Sequence, residues 1–148
     1  PDSKDLKILK LLRENSKLTS QQISRKTLIP LTTIHNRIKK MEKEGIIRGY
    51  TVILDHKRLG KSILAFILIT VSYLMPDGKK ISQADLAKKI SRFNQVEEAH
   101  IVTGGTDIII KVRLADMDEL NKFVIEDLRN IEGVENTQTI IALSTSKI

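Results

Sequence analysis

The chain has 148 residues, 41% of them apolar, no cysteine and a formal charge of +7. That apolar share supports packed cores and argues against disorder, and without cysteine neither disulfides nor thiolate metal sites are available. Residues 1–60 carry 14 Lys+Arg against 6 Asp+Glu and residues 61–148 carry 11 against 12, so all the excess positive charge lies in one part of the chain, as expected where that part meets a polyanion.

In chain order, Asp2 and Asp5 have N-cap and N3 spacing, and Leu6, Ile8, Leu9, Leu11 and Leu12 follow as a broad apolar stripe at helical spacing. Lys4, Lys7, Lys10 and Arg13 take the remaining face. Thr19-x-x-Gln22 opens a second helix with capping-box spacing, its Ile23 inward and Leu28 expected to close behind it. After a break at Leu28-Ile29-Pro30, a third helix is predicted from Leu31 to Glu44, ended by Gly45. At about 100° per residue its Leu31, Ile34, Ile38 and Met41 share the packed side. Thr32, Asn36, Lys39 and Lys43 point away, with Thr33 and Lys40 beside them and His35 and Arg37 on the flanks. Pro30 stands where a Ser or Thr cap is expected, and proline cannot accept the orphan N–H bonds.

Ile46 to Leu54 reads as a strand leaving the helical domain, and Asp55 to Lys61, with Gly60, as a hinge. Then come strand Ile63–Val71, a turn at Pro76-Asp77-Gly78, a helix over about Ser82–Arg92 and strand Val96–Val102. Past Gly104-Gly105 lie strand Ile108–Leu114, helix Asp116–Ile131 and strand Val134–Leu143. That last helix is capped by Asp116-x-x-Glu119, faces inward with Leu120, Phe123, Val124, Leu128 and Ile131, and ends at Gly133. The order βαββαβ is the ferredoxin-like split unit. The fold class is α+β: a helix-turn-helix domain over 1–46, a connecting strand and hinge over 47–61, and a ferredoxin-like domain over 62–148.

The helix pair is the main functional signal. In a helix-turn-helix the second helix lies in the major groove and reads bases near its start. Asn36 suits adenine and Arg37 guanine; Lys39, Lys40 and Lys43 suit phosphates, which position without reading sequence. Thr32, Thr33 and His35 complete the candidate DNA-binding set. The plainer alternative is a three-helix bundle with a solvated face. A second signal is Thr103-Gly104-Gly105-Thr106-Asp107 between two apolar strands. Exposed N–H groups in such a turn can hold a carboxylate and Asp107 an ammonium, which together fit a free amino acid; an ordinary hairpin turn is the alternative.

His35, His56 and His100 have no metal-ligand spacing, and no nucleophile triad, phosphate loop or dinucleotide fingerprint occurs. Neither cofactor nor catalysis is expected. The apolar run from Ile63 to Val71 is far shorter than the roughly 20 residues that span a bilayer, and no signal-peptide pattern opens the sequence, so a cytoplasmic protein without a membrane partner is expected.

Together these residues resemble the leucine-responsive/asparagine-C (Lrp/AsnC) family of prokaryotic transcription regulators. The matching pieces are Asp2-x-x-Asp5, Ile34-x-x-Arg37-Ile38-x-x-Met41-Glu42-x-x-Gly45-Ile46-Ile47-x-Gly49-Tyr50, Leu59-Gly60, Gly104-x-x-Asp107, Gly133-Val134 and Thr137-x-Thr139. The resemblance implies a DNA-binding regulator of amino-acid metabolism. It implies dimers formed through the C-terminal sheets, often gathered into octamers, with an amino-acid effector near Gly104–Asp107 and with Thr137 and Thr139 close by. Two departures stand out: Pro30 in place of a capping serine, and a long Met75–Lys80 turn. Two rivals share these features: a DNA-coating, chromatin-like protein of low sequence preference, and an enzyme like the sirohaem decarboxylases on the same architecture.

Overall fold

A computed structural model describes the whole chain, Pro1–Ile148. It divides into two compact units, Pro1–Leu54 and Asp55–Ile148.

The first unit holds α1 (Ser3–Glu14), α2 (Ser20–Thr27) and α3 (Leu31–Lys43). Both expected capping boxes form: Asp5 N–H donates to Asp2 Oδ1 and Gln22 N–H to Thr19 Oγ1, with each N3 side chain returning a bond to the cap. Ile8, Leu12, Ile23, Ile29, Ile34 and Met41 form the core. Two expectations are corrected here. Leu28 does not close behind Ile23, being 91% exposed. It adopts φ +60 as the left-handed end of α2, and that reversal turns Leu28 outward and Ile29 inward. Leu31 is also exposed, because the first turn of α3 overhangs a core only three short helices deep.

Nor does Ile46–Leu54 form a strand in this chain. Ile46 and Ile47 donate to Met41 O and finish α3; beyond them Tyr50, Val52, Ile53 and Leu54 are exposed. The β-prone residues are there, but a strand needs a neighbour for its N–H and C=O groups, and nothing in the chain supplies one.

The second unit is built from β1 (Ile63–Val71), α4 (Gln83–Ser91), β2 (Val96–Ile101), β3 (Ile108–Leu114), α5 (Met117–Lys122) and β4 (Val134–Ile141). The strands form one sheet in the order β2-β3-β1-β4, every neighbour antiparallel, which is the ferredoxin-like arrangement. Ala65, Ile67, Ile69 and Val71 of β1 and Ile108, Ile110, Val112 and Leu114 of β3 pack with Leu86, Ile90, Leu120, Phe123 and Leu128 of the helical layer. Alternate residues Leu64, Phe66 and Leu68 lie on the sheet's other face, only half-buried. That is why β1 reads as a continuous apolar run rather than an alternating one.

The last helix departs from regular α geometry. After Lys122 it widens into a π-helical stretch, Phe123–Leu128, and Arg129 N–H reaches back five residues to Val124 O. The wider turn lets Phe123, Val124, Leu128 and Ile131 all face inward. Phe123 meets Phe93 edge to face at 5.6 Å. The Met75–Lys80 segment closes as a small hairpin, with a bridge between Leu74 and Lys80.

Candidate functional site

The turn between α2 and α3 is fixed by three side-chain bonds. Ser24 Oγ donates to Ile29 O at 2.6 Å, Thr27 Oγ1 donates to Ile23 O at 2.8 Å, and the Ile29 N–H donates to Thr27 Oγ1 at 3.3 Å. These bonds hold Leu28 in a conformation that costs a β-carbon residue about 1–2 kcal/mol. Pro30 occupies the N-cap of α3 with no side-chain bond, yet the helix starts at Leu31 as expected, Ile34 N–H donating to Pro30 O at 3.0 Å. No side chain accepts the first free N–H groups of the helix. No acidic residue stands in that first turn, which leaves the positive helix end open to an anion.

Along α3, Thr32, His35, Asn36, Lys39, Lys40 and Lys43 are exposed and Thr33 is half-buried. Lys40 has only a long contact to Glu44, 3.9 Å, with 73% of its side chain accessible, so little competes with a phosphate for it. The unit as a whole holds 12 Lys+Arg against 5 Asp+Glu, whereas Asp55–Ile148 balances at 13 and 13. The entire net charge thus resides with the helix-turn-helix.

Arg37 is bonded within the chain. Its Nη1 lies 2.7 Å from both oxygens of Asp2 and 3.0 Å from Asp5 Oδ1. The guanidinium is spent on the start of α1 rather than held out toward a base. Arg37 accordingly holds the Asp2 carboxyl down to about 2, and the bond from the Asp2 N–H, with Arg37 adding to it, lowers the carboxyl of Asp5. Sequence spacing reveals that Asp2 and Asp5 cap α1, but not that a residue 35 positions on meets the same carboxylates.

In the second unit the Thr103–Asp107 turn joins β2 to β3, with Val102 N–H donating to Asp107 O at 2.9 Å and Gly104 at φ +103. Thr103, Gly104 and Gly105 are exposed; Thr106 and Asp107 are half-buried. Asp107 is already bonded within the chain: Oδ2 accepts from Val71 N–H at 2.8 Å and Oδ1 from Gln83 Nε2 at 3.2 Å. It ties the turn to the end of β1 and the start of α4, and an ammonium would share it, since a carboxylate has about four acceptor positions. Gln83 is a neighbour that no local motif announces. Thr137 and Thr139 lie opposite Ile69 and Ile67 on the far side of β1, so two strand spacings, about 10 Å, separate them from the turn. Thr137 Oγ1 is buried without a hydrogen-bond partner.

The geometry agrees with two family models. Residues 64–148 match the Lrp/AsnC ligand binding domain, and residues 1–48 match a winged helix-turn-helix DNA-binding domain. The chain belongs to the Lrp/AsnC family of transcription regulators. Similar family members include an uncharacterized HTH-type transcriptional regulator of Pyrococcus furiosus, 39% identical over 99% of this chain and 95% of that protein. The HTH-type transcriptional regulator FL11 of Pyrococcus abyssi is 37% identical over 99% of this chain and 91% of its own. Among solved structures, a Neisseria meningitidis transcriptional regulator in complex with L-Met superposes with a TM-score of 0.90 at 27% identity, covering 100% of this chain and 93% of that one. AsnC of E. coli gives 0.83 at 28% identity, covering 100% and 95%.

Proposed function

We propose that α3 reads the major groove of an operator, with Asn36 and His35 toward base edges, Thr32 and Thr33 at the start of the helix, and Lys39, Lys40 and Lys43 toward phosphates. The observation that carries this reading is the confinement of the whole net charge to the helix-turn-helix unit, on a helix whose outer side chains are almost free of internal ties. Binding to a selected genomic fragment against bulk competitor tests it. A specificity ratio of roughly 10³ or more marks an operator-specific regulator. A ratio near one would make the protein a DNA-coating one instead.

The regulator works as a homodimer, alone or gathered into octamers. Two features support this: the half-buried apolar face of Leu64, Phe66 and Leu68, and the Tyr50–Leu54 segment, whose exposed apolar residues lack a strand partner within the chain. An amino-acid effector fits the Thr103–Asp107 turn with Thr137 and Thr139, drawn from different copies because one chain holds them about 10 Å apart. The L-Met complex of the Neisseria relative supports that ligand class. No helix is long and apolar enough to cross a membrane, which suits action on cytoplasmic DNA. A melting screen against the twenty amino acids tests the effector, since a ligand at 100 times its Kd adds about 2.7 kcal/mol of stability. A flat screen would remove the amino acid from this reading.

A further inference from the structure

Arg37 flanks the exposed side of α3. At about 100° per residue it lies about 40–60° around the helix from Thr33 and Lys40 but about 100–160° from Thr32, Asn36, Lys39 and Lys43. Those four are exposed, while only 27% of the Arg37 side chain and 16% of that of Asp5 are accessible. One nitrogen, Nη1, serves three carboxylate oxygens on the first turn of α1. The same two aspartates form the α1 capping box, each donating its N–H to the other's carboxylate. Helix end, cap and guanidinium therefore hold one another in a single geometry.

We infer that Arg37 is a positioning residue of the DNA-binding unit: its clamp on Asp2 and Asp5 sets the angle of α3 against α1, and so the pose in which Asn36 and His35 meet base edges, without itself touching DNA. The inference rests on α3 being the groove helix. Two physical points support it. Freeing Arg37 for a groove would leave two carboxylates unpaired close to a polyanion, a loss on both sides of the exchange. And the clamped cluster carries net charge −1 in a unit that is otherwise strongly positive, so it repels phosphate from this flank and favours the side that bears Lys39 and Lys43.

Titrations with the full chain on a selected genomic fragment, followed by fluorescence anisotropy across 50–300 mM salt and well below the melting temperature of every variant, test the clamp. Arg37→Ala should weaken specific binding about tenfold, the size of one lost charge-assisted hydrogen-bond set, with the salt slope unchanged. Asp2→Asn/Asp5→Asn should weaken it too, although it removes negative charge near DNA. Combined with Arg37→Ala it should add little, because one interaction can be lost only once. Arg37→Lys should recover part of the affinity through a single contact. A salt slope shallower by about 0.9 per Arg37 removed would make Arg37 a phosphate contact and overturn the inference. Tighter binding by the asparagine pair, or preference relaxed at one base pair alone, would overturn it equally. Lys40→Ala is the control for the helix itself: an unchanged slope there takes away the groove reading of α3, and this inference with it, whatever the Arg37 variants do.

Discussion

Replacing Lys40 by alanine reports directly on which face of the molecule meets DNA. In the structure Lys39, Lys40 and Lys43 are three exposed cations on one side of α3, and Lys40 gives up only a 3.9 Å contact to Glu44 when it turns to a phosphate. The proposed dimer would present two such helices, hence about six phosphate contacts and a slope of log affinity against log salt near −5, at about −0.9 for each phosphate. Between 50 and 200 mM salt that slope costs about 10³ in affinity. Lys40→Ala removes one contact per protomer, so the slope should rise to about −3.6 and the loss over the same range shrink to about 10². Anisotropy titrations of a labelled operator fragment and of unrelated duplex measure both, and the two DNAs should show the same change, because phosphate contacts carry no sequence. A variant with the parent slope on both duplexes would show that this flank of α3 faces solvent in the complex.

Gly133 sits at φ +100, and a β-carbon there would lie 3.1 Å from Ile81 Cδ1; Gly133→Ala should lower the stability of the sheet domain by about 1–2 kcal/mol in urea melts, and an unshifted midpoint refutes the strain argument. Phe123→Ala should cost about 3–5 kcal/mol, since the ring is 1% exposed and stacked edge-on against Phe93; the loss should appear in the unfolding of residues 55–148. Lowering pH should loosen the helix-turn-helix between about 4 and 2. The Asp2 carboxyl, at 3.8 when free, falls to about 2 through its bond from Arg37, so its stabilisation is complete above 4 and lost as protons bind. Asp2→Asn should flatten that acid transition, seen by helical circular dichroism, and a transition unchanged by the substitution would place its origin elsewhere.

Much of the fold was legible because its signals are local. Capping boxes at Asp2/Asp5 and Thr19/Gln22, glycine at Gly45 and Gly133, and the alternation of apolar periods fall within a few residues of one another, and the helices and strands begin and end close to where those signals stand. The exposed lysines of α3 were legible for the same reason, since helical spacing alone puts Lys39 and Lys43 opposite Ile34 and Met41.

What the amino-acid order determined by itself was therefore the run of helices and of the four paired strands, the ferredoxin-like order of the second unit and the placement of positive charge on the helix-turn-helix. Tertiary structure decided what depends on partners far along the chain. The left-handed turn made Ile29, not Leu28, the core residue; Ile46–Leu54 stayed unpaired because strand pairing is a property of two segments. A helix drawn with regular spacing became π-helical where Phe123 and Leu128 both had to reach the core. Arg37, a candidate base reader by spacing, bonds to Asp2 and Asp5 of α1, and Asp107 ties β1 to α4. For Arg37 and Asp107 the deciding contacts span 24 residues or more, and for the π-helical stretch the term was a packing demand from the neighbouring layer; the Leu28 reversal is held by short-range bonds of Ser24 and Thr27 that helical spacing does not announce.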